Sequence, residues 1–412
     1  MRISYILCAF FIGSVAAGRT LTWNEAINLA QQNSLEYQTA FSNYKSVEEL
    51  EISGVSGFLP RITASTSGTQ SGVPIGPVTN SYSAQLSLTQ NLFSGLSDIS
   101  NYYLKKTNTQ KALANFNSAK SKLSAELKQA YANLYYIQDF KKLAQDIVKR
   151  RNDNSRNVKL QYDNGRENKG SLLLSQSYVE SAEYDVLTSQ HDHEVATETL
   201  RRVLGLPAEE EIVISLNIAK DAIPLEKPNF SLMAERHPDV ISAGFDENIS
   251  LYNVRISRAQ FLPSLDFSGS YGYSDTKYFP ENDKWSVGLT LSLPLFEGFK
   301  SYSSYHSNKA QLSASESSSK NTVLKITTSI KRSYYDYLEA IQKEKIDENF
   351  SKAAVLRAEV ARNKYKNGFI TFEEWDNIET DLISRQKEML GSERNRIIKQ
   401  SVWEQAQGIG VF

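Results

Sequence analysis

The chain has 412 residues, with 46 Lys and Arg against 47 Asp and Glu and a net charge of −1. Interspersed charge of this kind argues against a nucleic-acid partner. Its single cysteine, Cys8, leaves no disulfide, thiolate metal site or cysteine nucleophile for the rest of the chain. With only 20 Gly and 10 Pro, the latter gathered at joints, the composition points to long uninterrupted helices.

Residues 1–17 read as a secretory signal: Arg2, an apolar run from Ile3 to Val15, then the small residues Val15-Ala16-Ala17. Cys8 lies inside that run and would leave with it, so no lipid anchor is expected. No later apolar run reaches the length of a transmembrane helix, which needs roughly 20 residues.

Thr22 is an N-cap with Glu25 as its capping-box partner, opening a helix expected over residues 22–54. Phe58-Leu59-Pro60 ends it, because proline disfavours helix in the residue before it. Period-two alternation follows. Ala84, Leu86, Leu88 and Leu92 alternate with polar residues, although Gln90 interrupts the apolar face. A strand hairpin is therefore predicted at about 61–93. From Gly95 to Asn164 there is no internal Pro or Gly, which predicts one very long helix at about 96–164. Within it Leu123, Leu127, Ala130, Leu134 and Ile137 keep the 3.5-residue period of coiled-coil contact, a seam most simply read as core. Asn164-Gly165 is a helix stop, and a return helix runs over about 171–204.

The chain then repeats itself at a spacing of 203 residues. Phe58-Leu59-Pro60 returns as Phe261-Leu262-Pro263, and Leu92-Phe93-Ser94-Gly95 as Leu295-Phe296-Glu297-Gly298. Tyr162-Asp163-Asn164-Gly165 returns as Tyr365-Lys366-Asn367-Gly368, and Gly205 as Gly408. Such constancy suits rigid rods, since one added residue would turn every later side chain by about 100°. Repeat 1 therefore covers 18–205 and repeat 2 covers 230–412, with 206–229 a linker or belt to which no role is assigned. The second copy predicts a first helix from near Ser231 to near Ala259, a hairpin at about 264–296, a long helix at about 299–367 and a return helix at about 371–407. Its seam residues are Ile326, Ile330, Ser333, Tyr337 and Ala340. In its hairpin Trp285, Val287, Leu289, Leu291, Leu293 and Leu295 alternate with small or polar residues. These runs have the length of tilted membrane strands, and Tyr82, Phe93, Tyr271, Tyr273, Trp285 and Phe296 stand near strand ends where aromatic girdles sit.

Two hairpins supply four strands, too few to close a membrane barrel, and an open edge in lipid leaves backbone groups unpaired. Several chains must then share one barrel, with the helices continuing it as a tube. The duplicated Phe-Leu-Pro, Leu-Phe-x-Gly and Tyr-x-Asn-Gly motifs, with Leu204-Gly205-Leu206, make the chain similar to the TolC-type family of outer-membrane efflux ducts. The resemblance implies a fold that is mainly α with membrane β. Each tandem repeat would be short helix, β-hairpin, very long helix and short helix, and a homotrimer would form a 12-strand β-barrel continued by a periplasmic α-helical barrel. It implies the outer membrane of a Gram-negative bacterium, outer-membrane lipid, a periplasmic adaptor protein and an inner-membrane transporter of RND, ABC or MFS type. No cofactor, metal or catalytic site is implied.

In that family the periplasmic tip is gated. The resemblance puts Tyr365 at the gate tyrosine and Glu374 and Asn377 where the family often has two aspartates, with Gly165 and Gly368 in the tip turns. Asn377 in place of an acid, and Ile370 in place of an arginine that ties the closed tip, depart from the pattern. Ser171 stands at the position equivalent to Glu374 and carries no charge. Arg166, Glu167 and Lys169 are candidates for adaptor contact. The run Glu373, Glu374, Asp376 and Glu379 equally fits a solvated helix face.

Two other classes compete. His191-Asp192-His193-Glu194 places its histidines two apart, on different faces of a helix, which is poor metal-site geometry. A secreted trimeric coiled-coil structural or adhesive protein explains the helices and the signal, but not two matched hairpins. Small-molecule efflux and polypeptide export use the same kind of duct, and the genetic neighbourhood discriminates them.

Overall fold

The computed structural model describes residues 19–207, 212–215 and 227–412. The predicted signal segment and most of the predicted linker lie outside the described residues. The elements are β1 (Arg19–Leu21), α1 (Trp23–Asn33), α2 (Leu35–Glu51), a 3-10 helix (Ile52–Phe58), β2 (Arg61–Ser71), β3 (Thr79–Ser94), α3 (Ser97–Asp163) and α4 (Lys169–Leu204). They continue with β4 (Ile212–Ile214), α5 (Phe230–Glu235), α6 (Pro238–Ala259), β5 (Ser264–Asp275), β6 (Asp283–Ser292), α7 (Lys300–Lys366) and α8 (Phe372–Ala406).

The internal repeat is written into the backbone. α3 and α7 both have 67 residues, and their first residues, Ser97 and Lys300, stand one repeat apart. At ~1.5 Å per residue each is roughly 100 Å long. Among the described residues, every one with positive φ falls in such a pair: Gly95 and Gly298, Leu96 and Phe299, Gly165 and Gly368, Gly205 and Gly408. Neither long helix contains Gly or Pro, so nothing in its interior interrupts the hydrogen-bond ladder.

Contacts divide the chain into two units that cut across the repeats. One takes Met1–Gln38, Lys120–Pro228 and Ile330–Phe412, the other Thr39–Ala119 and Asn229–Ser329. Each long helix gives its first part to the second unit and the remainder to the first.

The second unit carries a four-stranded sheet in the order β2-β3-β5-β6, antiparallel throughout. Its register sorts side chains by chemistry. Ile62, Leu88, Gly269 and Val287 form one row across the four strands, and Ala64, Leu86, Tyr271 and Trp285 form the next. The intervening rows, such as Thr63, Ser87, Ser270 and Ser286, are polar, mostly Ser, Thr and Gly with Arg61, Gln85, Asn91, Asp266 and Lys284 among them, and face the opposite side. Hydroxyl pairs cross that polar face, Ser67 with Ser83 and Ser270 with Ser286, both at 2.8 Å. The apolar face is bare: Val287, Leu289 and Leu291 are exposed, and Trp285 is 74% exposed. Helices of this unit meet through aromatic and polar contacts. Tyr44 stacks on Phe116 at 6.0 Å, Tyr103 on Tyr252 at 5.9 Å, and Ser242 donates to Asn115 at 2.7 Å.

The first unit has its core along the predicted seam. Leu123, Leu127, Ala130, Leu134 and Ile137 are all buried, against Ala26 and Ala30 of α1 and Leu200, Val203 and Leu204 of α4. In the second copy Ile330, Ser333, Tyr337 and Ala340 are buried, while Ile326 is half-buried. β1 pairs in parallel with β4, so part of the predicted linker is a strand. Tyr131 ties this pair to α3: its hydroxyl donates to Leu21 O at 2.9 Å or Ser215 O at 2.7 Å. Burial pushes the Tyr131 hydroxyl up to about 12, despite the hydrogen bond to Ser215, which lowers it.

Four expectations needed correction. The helix predicted over 22–54 breaks at Ser34, whose backbone turns extended (ψ 121°). There the C-terminal turn of α4 arrives so closely that a Cβ on Gly205 would lie 2.1 Å from Asn33 O. Second, β3 has a bulge between Asn91 and Phe93, so Phe93, not Leu92, pairs with Leu265. Third, β6 ends at Ser292, leaving Leu293 and Leu295 outside the ladder. Pro294 has no N–H to continue it. Fourth, the helix predicted from near Ser231 to near Ala259 breaks at Arg236-His237 into α5 and α6, with Pro238 opening the second.

A candidate gate at the helical tip

The two tip turns are built alike. Gly165 (φ 72°) donates to Tyr162 O at 2.9 Å and Arg166 to Gln161 O at 2.8 Å. Gly368 (φ 74°) donates to Tyr365 O at 2.9 Å and Phe369 to Lys364 O at 2.9 Å. A Cβ at either glycine would meet nothing within 4 Å, so the left-handed backbone alone calls for glycine there. Three residues on, Asn168 caps α4 through the Ser171 N–H at 2.9 Å, and Thr371 caps α8 through the Glu374 N–H at 3.2 Å.

Ser171 and Glu374 are thus equivalent in backbone, but not in environment. Ser171 is buried, whereas Glu374 is exposed together with Asn377, three residues on and on the same helix face. Tyr365 is buried too. Its ring stacks on Trp375 with centroids 4.4 Å apart and planes 8° from parallel, with Phe372 tilted against both. Ile370, Val158 and Ala361 complete this cluster. Ile370 therefore serves the tip as an apolar contact.

Tyr365, Ser171 and Ile370 line one open cleft of about 670 Å³ with Arg166, Glu167 and Thr371, and Glu374 and Asn377 lie outside it. Arg166 and Lys169 are exposed as expected, but Glu167 is half-buried. Burial, and then the Glu167 carboxylate, raise the pKa of the Tyr365 hydroxyl, which makes no hydrogen bond of normal geometry.

The acidic run is not one solvated face. Glu373 and Glu374 are exposed, but Asp376 and Glu379 are buried in ion pairs. Arg151 donates to Asp376 at 2.9 Å and to Thr380 at 3.0 Å, with its guanidinium 4.4 Å from the Tyr178 ring centroid. Glu379 lies 3.3 Å from Arg362 and 3.6 Å from Arg150. Burial lowers the pKa of Arg150, with Glu379 opposing that shift. Four helices meet in this cluster: α3 through Arg150 and Arg151, α4 through Tyr178, α7 through Arg362 and α8 through the acids. A signal for it was present in the sequence. Phe372, Trp375, Glu379 and Leu382 follow a 3-4-3 spacing, which places Glu379 in the core stripe of α8.

Among the described residues no group of His, Cys, Asp and Glu is arranged to hold a metal ion. No described helix is long and apolar enough to cross a membrane. The tip thus combines two glycine turns, an aromatic cluster around Tyr365 and buried ion pairs.

The profile described as outer membrane efflux protein matches residues 26–206 and 229–405, one segment in each repeat. Alkaline protease secretion protein AprF of Pseudomonas aeruginosa is 24% identical, over 66% of this chain and 61% of its own length. The chain thus spans less than two thirds of that relative. Nodulation protein T of Rhizobium leguminosarum bv. viciae is 25% identical, over 81% of this chain and 69% of its own. The crystal structure of CusC superposes with a TM-score of 0.84 at 16% identity, covering 96% of this chain and 95% of that one. With both repeats matched in order and the fold shared, the chain belongs to the outer membrane efflux protein family, whose members are channels rather than enzymes.

Proposed function

We propose that three copies of this chain form the outer-membrane exit duct of a tripartite efflux or type I secretion system in a Gram-negative bacterium. The observation that carries the reading is the sheet. It has an apolar face bare of protein, a Ser/Thr face, and two open edges at β2 and β6. In lipid those edges must be paired, and three copies pair them in one antiparallel barrel. Twelve strands ~4.8 Å apart and tilted by ~40° close a cylinder roughly 24 Å across. The apolar rows face lipid and the hydroxyl rows face water. Substrates pass through without chemistry, delivered by an inner-membrane transporter through a periplasmic adaptor.

The helical tip is the gate. Tyr365 and its aromatic plug hold it closed, while Glu374 and Asn377 face the constriction. Three symmetry-related carboxylates of Glu374 there favour cations over anions. Arg166 and Lys169, exposed beside Gly165, are offered to the adaptor.

Planar-bilayer recording of the wild type beside Tyr365→Ala/Glu374→Ala tests the reading. A small cation-preferring current that grows in the double variant supports it. No current from either, with a protein soluble without detergent, would sink it in favour of a coiled-coil fibre.

A further inference from the structure

β3 and β6 are repeat equivalents that end differently. β3 runs over Thr79–Ser94, whose counterpart one repeat on is 282–297, yet β6 stops at Ser292. Partners explain the difference. The last residues of β3 pair with β5 through a bulge, Phe93 with Leu265 and Ser94 with Ser264. β5 begins at Ser264, opposite Ser292, and β6 has no strand on its other side, so residues 293–297 have nothing to pair with. Pro294 stands where Asn91 opens the bulge of β3, a place in a sheet where proline is tolerated.

The duplication supplies the missing register. In a barrel made of copies, β6 of one chain meets β2 of the next as β3 meets β5 within the chain. Carried over by one repeat, the pair Ser87 and Ser270 becomes Thr290 and Ser67 of the next copy. Phe93 and Leu265 become Phe296 and Ile62, and Ser94 and Ser264 become Glu297 and Arg61. Two neutral serines inside the chain are thus replaced by opposite charges at the seam.

The junction to the long helix has been altered to put the acid there. In repeat 1 the Ser94 hydroxyl, at the strand end, donates to Asp98 on the helix. In repeat 2 the roles are exchanged, and the Ser301 hydroxyl on the helix donates to Glu297 at the strand end. The same kind of bond closes both junctions, but the carboxylate has moved from the helix to the free edge. Glu297 is exposed and uses only Oε2 in that bond. Arg61, the first residue of β2, is exposed and makes no ion pair among the described residues.

We propose that Arg61 of one copy and Glu297 of the next form an ion pair at each seam of the barrel and set the register between copies. This rests on the duct reading. Exposed pairs add little stability, but they select among closures. With all helices on one side, two β2 edges could meet only in parallel, which brings Arg61 against Arg61. Two β6 edges would bring Glu297 against Glu297. A slip of two residues keeps every side chain on its proper face, so the apolar pattern does not forbid it, but it separates the two charges.

Cysteine cross-linking in a Cys8→Ser background tests the register, with Arg61→Cys/Glu297→Cys beside the slipped pair Thr63→Cys/Glu297→Cys. Within one chain β3 and β5 lie between the two edges, so positions 61 and 297 are about 14 Å apart, beyond the ~7 Å reach of a disulfide. A bond therefore reports two copies. The expected result is a covalent trimer on a denaturing gel from the first pair and not from the second. Charge reversal tests the ion pair: Arg61→Glu or Glu297→Arg alone lowers the trimer recovered from membranes several-fold, and the two together restore it. Cross-linking of the slipped pair instead, or single reversals that trimerise like the wild type, overturns the proposal and leaves the duct intact. A wild type that runs as a single chain in detergent overturns the duct reading itself.

Discussion

Arg151→Ala strands a buried carboxylate and is expected to cost much of the protein's stability. Arg151 and Asp376 have side chains only 8% and 11% exposed and meet at 2.9 Å, with Thr380 taking a second guanidinium N–H. Truncation leaves the Asp376 carboxylate buried without its cation, which costs about 3–5 kcal/mol in such sites. The contrast is Arg357→Ala. Its pair with Asp381 is longer, at 3.3 Å, and its side chain is 63% exposed, so loss of that pair costs under ~1 kcal/mol. Denaturant unfolding of the detergent-solubilised protein, followed by circular dichroism, measures both. Replacing both partners at once, Arg151→Met/Asp376→Leu, recovers most of the loss, because no buried charge is stranded. The reasoning is refuted if Arg151→Ala costs no more than Arg357→Ala, or if the double variant is worse than the single.

Further outcomes follow from other sites. The Tyr131 hydroxyl ordinarily ionises near 10, and at about 12 in the fold. The folded state thus holds its proton where the unfolded chain releases it, so stability is intact below pH 10 and falls by about 3 kcal/mol as pH rises to about 12. Tyr131→Phe removes that component of the alkaline loss, at the cost of leaving Leu21 O and Ser215 O without this donor; an unaltered pH profile would contradict the assignment. Gly368→Ala forces a Cβ into a left-handed turn and lowers stability by about 1–2 kcal/mol, as does Gly165→Ala, in thermal unfolding. Equal or greater stability in either would show that the turns are not held as described. Gly272→Val puts a Cβ 2.2 Å from Ala84 O, so β3 and β5 cannot pair and the protein is not recovered in the membrane fraction; normal recovery would refute that register.

The rods were legible because helix and turn are set locally. Thr22 and Glu25 form the capping box their spacing announced, with the Thr22 N–H donating to Glu25 at 3.0 Å. The glycine stops lie where a left-handed residue is needed, and the absence of Gly and Pro between them gives α3 and α7 their equal length. What stayed hidden was set by neighbours distant in sequence. The bulge at Asn91 shifts the strand by one residue, and alternation alone gives no sign of it because Leu92 and Phe93 are both apolar. The break at Ser34 answers to the approach of Gly205, far along the chain. At the tip, repeat alignment placed Ser171 opposite Glu374 correctly in backbone. It said nothing of burial, because α4 and α8 meet different surroundings. Asp376 and Glu379 were read as polar by type, and their arginines were 225 and 229 positions away or on another helix, beyond the reach of local pattern.

The central claim is that three copies of this chain close one barrel. Native mass spectrometry of the protein released from detergent micelles tests it most directly. The account predicts a species of three chains that is lost when the edge strands β2 and β6 are altered, for instance by proline placed mid-strand at Ser67 or Gly288. A single-chain mass from protein that stays soluble without detergent would contradict it.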